Sequence, residues 1–166
     1  MFRSLIFFMK GQNIMPIKNP GAWTKYCLVF CSILLAIGFA FSLSHAADIR
    51  ASSVYEKELL KCINRHRMNN GLALLSFDDT LGKMAKNHSN NMNNNQELNH
   101  DHFDDRFRQC GRACCVENIG WNYMTPEEQF KAWKNSKGHN KNMLNKQIRH
   151  AGISKVGAYV TFFACD

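Results

Sequence analysis

Residues 152–165 read GISKVGAYVTFFAC. Two β-rich segments, Gly152 to Ser154 and Ala158 to Cys165, flank Lys155-Val156-Gly157, the pattern of a hairpin turning at a glycine. Upstream the signals are helical. Asp78 or Asp79 opens a stretch in which Leu81, Met84, Ala85, His88 and Met92 fall on one helical face, and the asparagine-rich run 90–95 reads as its end or a loop. Thr125-Pro126-Glu127-Glu128 supplies a cap, a first-turn proline and a capping-box glutamate, with Phe130, Ala132 and Trp133 facing inward from the helix that follows. Ser53-Val54-Tyr55-Glu56 fits a capping box ahead of Leu59, Cys62 and Ile63, a helix closed by Asn69-Asn70-Gly71. Cys114 to Ile119 reads as a further strand. Helices around a small sheet, without regular βαβ alternation, predict an α+β fold.

The 166 residues divide unequally. Tyr26 to Leu43 carries no charge over 18 residues, follows basic residues, and ends in Ser44-His45-Ala46. That is the pattern of an export signal, so residues 1–46 read as a signal peptide and 47–166 as one domain. The alternative is an uncleaved anchor, because roughly 27 Å of helix just spans a hydrocarbon core. Met15 offers a second start, which would shorten the basic region. Four of the 21 basic residues, Arg3, Lys10, Lys18 and Lys25, lie in the leader, and none of the 13 acids do. Half of the net charge of +8 therefore belongs to the leader, and a nucleic-acid partner is not expected. A membrane partner is expected only through an uncleaved leader. The domain is expected to be secreted or periplasmic, where disulfides persist.

Nucleotide-binding glycine motifs, the P-loop, H-E-x-x-H and G-x-S-x-G are all missing, as is any C-x-x-C. Beyond the leader, Cys62, Cys110, Cys114, Cys115 and Cys165 remain. Cys110, Cys114 and Cys115 form a tight cluster without a second metal-spaced group, so disulfides are the preferred reading. Two bridges and one leftover thiol are expected. A local bridge would join Cys110 to Cys114 or Cys115, and Cys62 and Cys165 are candidates for a long-range link or for pairing with the remaining loop thiol.

Three polar stretches carry candidate chemistry: Leu98-Asn99-His100-Asp101-His102-Phe103 with Arg106, then Glu117-Asn118-Ile119-Gly120, then Trp133-x-x-Ser136-x-Gly138-His139-x-x-Asn142. Two His and one Glu from separate segments suit a metal or acid–base site if they converge.

The order and spacing of these motifs resemble the CAP superfamily of cysteine-rich secretory, antigen 5 and pathogenesis-related proteins, also called SCP domains. The resemblance runs from about Leu59 to Phe163, through Asn64-Arg65-His66-Arg67 with Gly71-Leu72, Leu75, Leu81 with Ala85, the His100 loop, Glu117-Asn118-Ile119-Gly120, and the Trp133 to His139 stretch. It implies an α-β-α sandwich with a small antiparallel sheet and a central cleft. In the animal and plant branch two His and two Glu line that cleft. His100, His139 and Glu117 match three of them, and Ser136 stands where the second Glu falls. That substitution resembles the short bacterial branch. The resemblance implies no single shared reaction. The expected function is a non-enzymatic binding module with His100, Glu117, Ser136 and His139 in its cleft. Its ligand is an unidentified extracellular lipid, small molecule or envelope component. No catalytic residue is assigned. The alternative is a metal-assisted, peptidase-like hydrolase, in which His100 and His139 hold a divalent ion such as zinc and Glu117 is the base.

Overall fold

The computed structural model describes residues 53–166. The leader, its cleavage site, the alternative anchor and Met15 lie outside the described residues. Nine elements follow in order: helix α1 over 53–69, strand β1 (Ser76–Phe77), α2 (Asp79–Asn95), α3 (Phe103–Cys110), β2 (Cys115–Trp121), α4 (Pro126–Asn135), α5 (Lys137–Met143), β3 (His150–Val156) and β4 (Tyr159–Cys165). The sheet order is β1-β3-β4-β2. The expected α+β architecture is present, but the sheet is mixed: β1 runs parallel to β3, while β3–β4 and β4–β2 are antiparallel.

The hairpin decides the core. All seven residues of β4 are buried, because helices cover both faces of this inner strand. Val160, Phe162 and Ala164 point to one face, joining Leu59 and Ile63 of α1, Trp133 of α4 and Met143 of α5. Tyr159, Phe163 and Cys165 point to the other, against Leu81, Met84, Ala85 and Met92 of α2. The period-2 alternation of one strand thus supplies both cores. The turn begins two residues later than the sequence suggests and keeps Gly157. It falls on Gly157 and Ala158, and Gly157 takes the left-handed φ of 55° that a tight hairpin turn requires. Gly152 serves a different need: a Cβ there would lie 2.1 Å from the backbone of Leu81 and Gly82, so only glycine lets α2 approach β3 this closely.

Local capping chemistry fixes the helices. Asp78 is the N-cap of α2, accepting from the Thr80 and Leu81 amides at 2.8 and 3.0 Å. Thr125 and Glu128 close a complete capping box on α4. Residue 53 is already helical, so the Ser53 cap expected from the sequence is not the start of α1. Residues 90–95 form the end of α2 and not a loop, because Met92 is buried against Ile119 and Tyr159 and holds the last turn down. Helices α3 and α5 occupy segments that the sequence leaves as polar stretches.

The described cysteines form one bridge, not two. Cys115 pairs with Cys165 across the register-matched ends of β2 and β4, with Cα atoms 4.1 Å apart. Neighbouring antiparallel strands approach that closely at non-hydrogen-bonded pairs. The local Cys110 bridge and the Cys62 link do not form, and Cys62, Cys110 and Cys114 are free thiols. Cys115 turns toward the α2 face while Cys114 turns to Asn145, 3.7 Å from its amide nitrogen, so adjacent cysteines have different neighbours.

Candidate functional site

Strand β2 is an edge strand, and its alternation places Glu117 on the α2–α3 face with Cys115 and Ile119. A carboxylate buried there needs compensating donors. The Glu117 side chain is 1% exposed. Arg106, reaching back from α3, grips it with a two-pronged contact: Nε donates to Oε2 and Nη2 to Oε1, both at 2.9 Å. The third guanidinium nitrogen donates to the Asp101 carbonyl at 2.8 Å, which ties the His100 loop to the same pair.

Two histidines surround this pair. His100 Nδ1 lies 2.9 Å from Glu117 Oε1, and a carboxylate can only accept, so Nδ1 carries the proton. The imidazole is half exposed and Nε2 remains to serve a ligand. His88, on α2, is buried and lies 2.9 Å from the Asn99 carbonyl and 3.7 Å from Glu117 Oε1 through the same Nε2. Burial lowers the His88 pKa, and the Arg106 and His100 charges add to that, against the opposing pull of Glu117. His88 is therefore a neutral donor that holds the chain following α2.

The opposite side of β2 is built by α4 and α5. Asn118 donates to the His139 carbonyl at 3.0 Å, and Asn142 donates to the Glu117 carbonyl at 3.0 Å and to Asn118 Oδ1 at 2.9 Å. Trp133 Nε1 donates to the Ile119 carbonyl at 2.8 Å. Asn142 and Trp133 thereby satisfy carbonyls of the edge strand β2 that another strand would otherwise pair. His139 packs against the Trp133 ring, with centroids 6.4 Å apart. Its pKa is lowered, first by burial and then by the charge of His100. Ser136 marks the α4–α5 junction, and its side chain makes no cap bond to α5.

The structure thus brings His100 and Glu117 into direct contact, with His139 near enough to sense the charge on His100. The sequence motifs did not reveal that Arg106 is the partner of Glu117, nor that Asn118 and Asn142 form the frame. The signal available was the alternation in β2, which buries Glu117 and so demands a cation. His100, Glu117 and His139 do not suit a metal as placed. Both Glu117 oxygens are engaged by Arg106. Among the described residues, the three donors within 4.8 Å of one another are Cys110, Cys115 and Cys165. An open pocket of about 430 Å³ lies over His100, lined also by Asp101, His102, Phe103, Asp104, Asp105 and Arg108. His102 lies 3.0 Å from Asp105, and hydrogen bonds from His102 and Arg108 hold the Asp105 carboxyl below its ordinary pKa.

The two depressed histidines fix the sign of a pH effect. Their folded pKa values lie below the unfolded value of about 6.5, so the unfolded chain binds protons more readily. Stability present above that pH is expected to fall as the pH drops from about 7.5 to 5. Melting temperatures across that window test this, and His88→Gln, which keeps a donor for Asn99, should flatten the fall. A melting temperature that stays constant, or an unchanged slope in the variant, would contradict the assignment of neutral histidines in the folded state.

Residues 60–166 match the Cysteine-rich secretory protein family, CAP. Among curated relatives, the chain is 36% identical over 111 residues to the uncharacterized protein YkwD of Bacillus subtilis, covering 63% of this chain and 43% of that protein. It is 32% identical over 120 residues to the uncharacterized membrane protein YlbC of the same organism, covering 64% of this chain and 33% of the relative. The chain thus spans less than half the length of these relatives. Among solved structures, an extracellular protein containing a SCP domain from Bacillus anthracis superimposes with a TM-score of 0.65 at 25% identity, covering 69% of this chain and 41% of that one. An outer surface protein of Borrelia burgdorferi superimposes with a TM-score of 0.62 at 21% identity, covering 66% of this chain and 90% of that one, and shares the fold. Among the described residues, no helix is long and apolar enough to cross a membrane. The chain belongs to the CAP family of cysteine-rich secretory proteins, in its bacterial form.

Proposed function

We propose that this domain is a non-enzymatic binding module of an exported protein, which holds a ligand at the pocket over His100 and does not turn it over. The observation that carries this reading is the state of Glu117. Arg106 occupies both carboxylate oxygens within a buried pair, which leaves neither a free base nor a metal ligand. What Glu117 supplies is orientation: it accepts from His100 Nδ1 and leaves Nε2 facing outward as a hydrogen-bonding group. The pocket lining is polar and charged, which favours a small polar molecule or envelope component over a lipid tail. Export is supported by the leader and by the family.

The test is incubation with a generic peptide substrate and a cell-wall preparation, with and without chelator. The expected result is no hydrolysis above the buffer blank. Turnover that is abolished both by chelator and by His100→Ala would overturn the proposal in favour of a metal-assisted hydrolase.

A further inference from the structure

We propose that Cys110, Cys115 and Cys165 form a three-thiolate site for one soft divalent cation, available only when the Cys115–Cys165 disulfide is reduced. Cys110 Sγ lies 3.3 Å from Cys115 Sγ and 3.9 Å from Cys165 Sγ. Thiolates bound tetrahedrally to zinc at about 2.3 Å per bond stand roughly 3.8 Å apart. Two edges of the sulfur triangle therefore already approximate that spacing. The third is the disulfide, which opens when its bond is cut. Cys115 and Cys165 are register partners on adjacent strands, so their side chains stay on one face whichever redox state they hold.

The three sulfurs come from well-fixed places. Cys110 ends α3, whose C-cap Gly111 takes a left-handed φ of 65°. The connection to β2 is held against the chain end, with Arg112 donating to the Asp166 carbonyl at 2.7 Å and the Ala113 and Cys114 amides donating to Asp166 Oδ1 at 3.1 and 3.2 Å. Leu81, Met84, Ala85 and Phe163 wall the cluster on its inner side. Three thiolates in such apolar surroundings repel one another and are poorly solvated, and a divalent cation offsets most of that charge. Cys110 is half-buried, which leaves an approach from solvent.

The obvious competitor is thiol–disulfide exchange, with Cys110 attacking the bond. Attack runs along the S–S axis, so an aligned thiol lies about 2 Å farther from one sulfur than from the other. Cys110 stands beside the bond, nearly equidistant from its two sulfurs, a placement that suits joint ligation better than attack. The chemistry balances with a named reductant. A dithiol or phosphine delivers two electrons, two protons are taken up, and the disulfide becomes two thiols. Binding one divalent cation then releases the three thiol protons.

The test uses the full chain reduced with a phosphine under anaerobic conditions and titrated with Co²⁺ as a spectroscopic stand-in for zinc. The expected result is a thiolate-to-cobalt charge-transfer band that saturates at one equivalent and is erased by zinc. The disulfide-bonded chain should give no band. Cys110→Ser should weaken binding by at least ~10-fold, while Cys62→Ser and Cys114→Ser leave it unchanged. Absence of the band in reduced protein that keeps its far-ultraviolet circular dichroism would overturn the proposal, as would a band undiminished in Cys110→Ser. A reduced chain that unfolds and is not restored by cobalt overturns it equally.

Discussion

Arg106→Met is expected to destabilise the domain by about 3–5 kcal/mol, the range for breaking one half of a buried ion pair. The effect follows from what remains. Glu117 would keep its charge at 1% side-chain exposure, with His100 as its one hydrogen-bonding neighbour and His88 standing 3.7 Å away against a carbonyl. Either the carboxylate binds a proton or water must enter, and both cost stability. The cost of the single variant is not the worth of the pair, because Coulombic gain and desolvation nearly cancel when both charges are present. Arg106→Met combined with Glu117→Leu should therefore recover most of the loss. Urea denaturation with unchanged slope reads both numbers. A single-variant cost below about 1 kcal/mol would mean that Glu117 is solvated, and the ion-pair account would fail.

Arg67→Met is the second large effect. Arg67 lies on α1 and is fully buried, and its guanidinium faces carbonyls instead of a carboxylate. It donates to Ala73 at 2.9 Å, to Met143 and Asn145 at 2.8 and 2.9 Å, and to Ile148 at 3.3 Å. One side chain thus fixes α1 to both the segment before β1 and the segment after α5. Methionine fills much of the volume and supplies no donor. The bonds to Met143 and Ile148 are buried, and each orphaned buried carbonyl costs about 1–3 kcal/mol. A loss of at least roughly 3 kcal/mol is expected in the same denaturation assay. Arg67→Lys should recover only part of it, because an ammonium cannot reproduce the fork. Full recovery by lysine would show that charge, and not the set of directed bonds, is what the position requires.

The sequence disclosed the elements whose signals are local. Asp78 and Thr125 announce helices because a cap is a contact between near neighbours, and the hairpin shows because its two strands are contiguous. Helices α3 and α5 stayed hidden for a physical reason. Each has a single buried residue, Arg106 and Met143 respectively, so no apolar stripe marks them. Strand β1 is two exposed residues long and gives no alternation to read. The disulfide could not be chosen from spacing, since pairing Cys115 with Cys165 depends on the β2–β4 register across 50 residues. The candidate site divides along the same line. His100, His139 and Glu117 were legible as motif positions. The Arg106 grip that changes the chemistry of Glu117 depends on a helix absent from the sequence reading.

The most direct test of the central claim, that Glu117 is the counter-ion of Arg106 and orients His100 without joining a metal centre, is calorimetric titration of the disulfide-bonded protein with zinc. No saturable binding is expected at micromolar protein. Saturable uptake that is lost in both His100→Ala and His139→Ala, with the fold retained, would contradict the claim.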